Sequence, residues 1–125
     1  MTILASLLDM PGVVSAWRWE PGSTQPGALQ GPRLVECAGN ITTEMAELGM
    51  RYVETLGNFM FFQCSVLDHR LKREAFLPAR GIMVEAKDFT VVATENRVAV
   101  FLDNTKRPNF WELEQRMLQV ENSSA

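Results

Sequence analysis

Residues 41–69 read ITTEMAELGMRYVETLGNFMFFQCSVLDH, and the spacing of their apolar members decides the fold. Ile41, Met45, Leu48, Tyr52, Leu56, Phe59 and Val66 recur at steps of three, four or seven, which draws one stripe along a helix. Thr42 or Thr43 can cap its start, and Glu44 and Glu47 stand at the positive end of its dipole. Running to Asp68 or His69, this helix is about 40 Å long at 1.5 Å per residue. Gly57-Asn58 offers the other reading, a helix end followed by a strand through Phe59, Phe61 and Cys64. The stripe keeps its phase across Gly57, from Leu56 through Phe59 to Val66, so a continuous helix is expected.

At 100° per residue, Met45, Leu48, Tyr52, Leu56, Phe59 and Val66 share one arc, expected to lie on a sheet. Ala46, Met50, Val53, Gly57, Met60, Phe61 and Cys64 form a second arc beside it, and together the apolar surface spans about 220°, twice the usual stripe. One sheet cannot cover that much helix, so the second arc predicts a homodimer. Its expected interface is Ala46, Gly49, Met50, Val53, Gly57, Met60, Phe61 and Cys64, the small residues among them allowing a second helix to approach closely. The terminal helices are the alternative cover.

Outward from the helix, Val13–Glu20 alternates as a strand, with Val13, Ser15, Trp17 and Trp19 on one face and Val14, Ala16, Arg18 and Glu20 on the other. Ile3 to Asp9 reads as a short amphipathic helix stopped by Pro11-Gly12. Pro21 to Pro32, rich in Pro and Gly, reads as a long hairpin loop, flexible or used for recognition, and Leu34 to Ala38 as a second strand. Beyond a connector over residues 71–80, the runs Ile82–Ala86, Phe89–Thr94 and Arg97–Leu102 are joined by tight turns at Lys87-Asp88 and Glu95-Asn96. They must therefore form an antiparallel meander, because parallel strands need long crossovers. Asn109 with Glu112 three residues on opens a last helix bearing Phe110, Leu113, Met117 and Val120. The fold class is therefore α+β within one domain, residues 1–125.

The 125-residue length suits a single core, and 46% hydrophobic residues supply it. Fifteen acidic against twelve basic residues leave a net charge of -3, which gives no electrostatic reason to expect nucleic acid or an anionic membrane. The first residues carry no positive charge and too few apolar side chains for a signal peptide or a span, so a cytoplasmic location without membrane insertion is expected. Cys37 and Cys64 lie far apart without a Cys-x-x-Cys pattern, which fits reduced thiols better than a disulfide or a zinc site.

The order of elements resembles the Roadblock, or dynein light chain, family. More narrowly, Pro78, Gly81, Val84, Asp88-Phe89-Thr90-Val91 and Val98-Ala99-Val100-Phe101 resemble the C-terminal half of a prokaryotic Roadblock-like branch of uncharacterised proteins. The resemblance implies a five-stranded antiparallel sheet with the long helix on one face. It also implies dimers whose long helices pack together and whose sheets join edge to edge. Roadblock-like proteins are non-catalytic scaffolds or regulators of small GTPases, so the resemblance brings no catalytic residues. The long 21–32 loop and the 71–80 connector exceed the minimal pattern, which puts direct transfer of a GTPase-binding mode in doubt.

Chemistry is sparse in the residues themselves. The one histidine, His69, neighbours Asp68, but adjacent helical residues point about 100° apart and make no oriented pair. Cys64 and His69 are five apart and face different ways, which argues against a thiolate nucleophile. No phosphate-cradling glycine pattern is present. The reading is a homodimeric, non-enzymatic scaffold for an unidentified partner protein, a small GTPase or a cytoplasmic complex, without cofactor or metal. Trp17 and Trp19 are candidate partner-binding residues should they be exposed, and core residues otherwise. The alternative is a small-ligand sensor with a pocket between the sheet and a terminal helix, lined by Trp17, Trp19 and Trp111.

Overall fold

The hairpin and the meander join into one sheet because the strand Val13–Glu20 pairs with Val98–Asp103. The structure, a computed structural model, describes residues 3–22 and 31–120. Most of the predicted loop (23–30) and the chain after 120 lie outside the described residues. Strands β1 (Val13–Glu20), β2 (Arg33–Gly39), β3 (Gly81–Glu85), β4 (Phe89–Thr94) and β5 (Val98–Asp103) form an antiparallel sheet in the order β2-β1-β5-β4-β3. A short 3-10 helix (Leu4–Asp9) precedes it, α1 (Thr43–Leu71) joins its two parts, and α2 (Phe110–Leu118) ends it. This is the expected α+β architecture, with each element within a residue or two of its predicted span.

The helix ends follow the capping residues. Thr42 Oγ1 accepts the Met45 amide at 3.1 Å, and Asn109 Oδ1 accepts that of Glu112 at 3.0 Å, each satisfying one of the orphan donors of a first turn. Gly57 does not break α1, which runs 29 residues, about 44 Å.

Each sheet face carries its own core. On one face Ala16, Val98, Val100 and Leu102 are buried beneath the terminal segments, which contribute Leu4, Leu7, Leu113 and Met117. On the other, Trp17, Trp19, Ala93 and Ala99 meet α1 through Ala46, Met50 and Val53. The terminal helices therefore do not cover α1. The strict alternation expected for β1 also fails at its start. A register irregularity between Val13 and Ser15 breaks the phase, and Val13 packs with the terminal segments instead of sharing the face of Trp17.

The rotation of α1 is the reverse of the expected one. Ala46, Met50, Val53 and Cys64 are its buried residues, whereas Met45, Leu48, Tyr52, Phe59 and Phe62 are 50–62% exposed. The cause is volume. Two indoles already stand on the α1 side of the sheet, so the helix can close on them only with small side chains, and the bulkier arc turns outward. The contact is tightest at Gly49, where a Cβ would come to 2.9 Å from Trp17 Cζ2, while a Cβ at Gly57 would meet nothing within 4 Å.

β3 is an edge strand with a readable pairing phase. Glu95 N donates to Arg80 O and Ala86 N to Phe89 O. Alternate residues of β3, Ile82 and Val84, are therefore bonded to β4, and the backbone groups of Gly81, Met83 and Glu85 face the free edge.

The two helix glycines should respond oppositely to alanine. Gly49→Ala is expected to destabilise the fold by about 1–3 kcal/mol through overpacking against a rigid buried ring. Gly57→Ala should stabilise it by up to about 1 kcal/mol through helix propensity. Urea denaturation of both variants checks the pair, and equal responses would refute this account of how α1 seats on the sheet.

Candidate functional site

Where α1 leaves the tryptophans behind, the sheet beneath it offers only smaller residues. The indoles hold the helix at their own height, so a gap opens beyond them between the second half of α1 and the start of β3. This cleft, of about 350 Å³, is lined by Val53, Gly57, Met60 and Phe61 from α1, by Pro78 and Ala79 from the connector, and by Ile82 and Ala93 from the sheet. Trp19, Glu54, Thr94, Glu95 and Arg97 also line it. It is apolar over most of its wall and polar at one end, the usual pattern for ligand pockets.

The polar end is organised by Glu54. Its Oε1 accepts from Trp19 Nε1 at 2.6 Å and from Arg97 Nε at 2.8 Å. One carboxylate oxygen thereby ties α1 to β1 and to the β4–β5 turn, with the Glu54 and Arg97 side chains 20% and 36% exposed. Arg97 reaches this position from a backbone at φ 60°, the left-handed region that costs a non-glycine residue about 1–2 kcal/mol. The turn that sets it there is closed by Arg97 N donating to Thr94 O at 3.0 Å.

The connector side of the cleft depends on Asp68. At the end of α1 Lys72 takes the left-handed cap at φ 58°, and the chain then folds back so that Asp68 accepts the amides of Phe76 at 2.8 Å, Ala75 at 3.0 Å and Leu77 at 3.1 Å. Desolvation pushes the Asp68 pKa up, yet the three amides and the charge of Arg73 outweigh it, and the net pKa lies below the ordinary 3.8.

The predicted site residues are divided by this geometry. Of the eight assigned to a dimer interface, Ala46, Met50, Val53 and Cys64 are buried within the chain and Gly49 is occupied by Trp17. Gly57, Met60 and Phe61 line the cleft. Trp17 and Trp19 are 0% and 2% exposed, so neither offers a surface to a partner. They are covered by α1, not by a terminal helix. A pocket lined jointly by Trp17, Trp19 and Trp111 does not form, because Trp111 lies on α2 and is 72% exposed, across the sheet from the other two.

Cys37 and Cys64 are both free thiols, the first half-buried and the second buried. His69 is exposed in the last turn of α1. Glu54 and Arg97 were not singled out by sequence, being 43 residues apart and ordinary in type. The usable signal was Glu54 itself, an acid that follows Val53 of the sheet-facing arc of α1.

A model of the family described as uncharacterized conserved protein (DUF2173) matches residues 3–110. Neither the curated proteins nor the solved structures contain a match to this chain.

The lowered Asp68 pKa fixes a pH response. A folded-state pKa below the unfolded value contributes stability that is complete above about 3.8 and is lost as pH falls through the folded pKa. Between pH 5 and pH 2 the amide proton shifts of Ala75, Phe76 and Leu77 should move together with one midpoint below 3.8. Independent midpoints, or none, would show that Asp68 does not hold the connector.

Proposed function

We propose that this chain, which belongs to that family, works as a homodimeric, non-catalytic scaffold that binds a partner protein. The observation that carries the reading is the outward side of α1. Met45, Leu48, Tyr52, Phe59 and Phe62 form an apolar row that neither terminal helix covers. Half-exposed side chains of this size amount to roughly 500–600 Å², near the upper end of the largest patches that monomers carry. It approaches the ~800 Å² that each partner of a standard interface removes from water.

A second copy fits the row in charge as well as in chemistry. Glu44 and Glu47 lie at the start of α1, and Arg70, Lys72 and Arg73 lie at its end. In an antiparallel two-fold pairing the acids of one helix meet the bases of the other and the helix dipoles oppose, whereas a parallel pairing stacks like on like. Full overlap of two Thr43–Leu71 helices brings Glu44 beside Arg70, Leu48 beside Val66 and Tyr52 beside Phe62.

A second arrangement is favoured by the backbone groups of Gly81, Met83 and Glu85, which face away from β4 at the sheet edge and suit the edge-to-edge sheet that the Roadblock resemblance implies. The class of the partner protein, a small GTPase or a multi-subunit complex, follows from that resemblance alone.

Light scattering at micromolar concentration should give twice the chain mass. Tyr52→Glu with Phe59→Glu would bury unpaired charge at a helix-paired interface, at a cost of several kcal/mol, and should yield monomer. Glu44→Lys and Arg70→Glu should each weaken self-association, and their equimolar mixture should restore a heterodimer. Met83→Pro removes a backbone donor that faces away from β4, and it should leave the mass unchanged. A monomeric wild type refutes the homodimer. A dimer indifferent to the helix variants and broken by Met83→Pro transfers it to the β3 edge.

A further inference from the structure

Two residues break local rules at the same place. Gly57 stands in the middle of α1, where alanine is the better helix former, and its missing side chain makes room for nothing in the chain, since a Cβ there would meet no atom within 4 Å. Arg97 holds a left-handed backbone that glycine or asparagine adopts more easily. Both residues line the cleft beneath the second half of α1. Departures from local consistency gather where a protein binds or reacts, and here one keeps a volume open while the other presents a guanidinium to it.

We propose that this cleft binds a small uncharged molecule with an apolar body and an amide-type head. At the polar end Glu54 Oε1 is taken by Trp19 and Arg97. Its Oε2 and the terminal nitrogens of Arg97 have no other hydrogen-bond partner among the described residues, so an acceptor stands beside donors. That pair is complementary to a head group with N–H and C=O side by side. Charge selects against the ionised relatives. Glu54 and Arg97 neutralise each other, and Glu95 at the same end is exposed and screened by solvent, so a carboxylate would be desolvated beside the Glu54 carboxylate and an ammonium beside the guanidinium. The body would lie against Met60, Phe61, Pro78 and Ile82, with the methionine able to adjust to its shape. A volume of about 350 Å³ is within the range of small-molecule sites. Gly57 faces the sheet, opposite the outward row of α1, and the inference does not rest on the homodimer.

Three probes with one body separate the alternatives: benzamide, benzoate and benzylammonium, titrated into 15N-labelled protein. The Trp19 indole N–H, bonded to Glu54, is the reporter, and that of Trp17, sealed beneath Gly49, is the control. Benzamide should shift Trp19 saturably while Trp17 stays still, and the two ions should bind at least tenfold more weakly. Gly57→Leu, which fills open space, should keep the fold and lower benzamide affinity at least tenfold. Arg97→Gly relaxes the turn and leaves Glu54 unpaired, so it should turn the preference toward benzylammonium. No saturable Trp19 shift with benzamide, equal affinity for all three probes, undiminished affinity in folded Gly57→Leu, or shifts confined to exposed Trp111 would each overturn the proposal. Light scattering on the same samples tells its failure apart from failure of the homodimer.

Discussion

The contact between the Trp17 ring and Gly49 sets the arrangement of everything on that side of the sheet. A fully buried indole rising from a central strand fixes the separation of sheet and helix, and only a residue without a side chain can sit above it. Once Gly49 is over the ring, Ala46 and Val53 flank it and the rotation of α1 has no freedom left. The outward row and the cleft are two consequences of this one contact. The row is what remains of an over-apolar helix after its small side has been used. The cleft is the space left where the helix continues at the height of an indole above a sheet that offers Ile82 and Ala93.

The two tryptophans serve this layer in different ways. Trp17 Nε1 is buried with no hydrogen-bond partner among the described residues, so the ring contributes its volume while its N–H is unsatisfied, ordinarily a cost of about 1–3 kcal/mol. Trp19 Nε1 instead donates to Glu54 and joins the core to the polar end of the cleft. The Glu54–Arg97 ion pair is partly exposed, so about 0–1 kcal/mol is the scale of its contribution. The Trp17 ring acts by exclusion, since a Cβ at Gly49 would come to 2.9 Å from it, and that contact positions α1 while the ion pair chiefly sets which way Arg97 points.

Much of the fold was legible in the sequence because it rests on periods and caps that are local. The phase of the stripe carried α1 through Gly57, Thr42 and Asn109 announced two helix starts, and short turns left the last three strands no topology but a meander. The rotation of α1 was not legible from the same stripe. Apolar spacing says that two arcs exist, but the choice between them is made by the volume on the facing layer, which hydrophobicity does not rank. The information was present in another form, since two indoles on one strand face call for a helix face of Ala46, Gly49 and Val53. The polar end of the cleft was harder still. Its members come from β1, α1 and the β4–β5 turn, and Trp19 and Glu54 lie 35 residues apart, so only the closed layer brings them together.

The proposed homodimer and the proposed ligand site would make separate demands on one helix, and the geometry lets both be met. The outward row and the cleft wall share no side chain, and Tyr52 and Gly57 lie on opposite sides of α1. A copy packed on the row would press the helix toward the indoles, which are already in contact, so the height of α1 and with it the depth of the cleft would change little. The connector is the wall held by polar contacts. Asp68 holds it through three amides at a partly exposed helix end, and Pro78 and Ala79 follow directly from that anchor to the cleft. The connector wall of the cleft is therefore held by a polar clamp at the surface and its floor by the tryptophan layer, so the two walls depend on separate interactions.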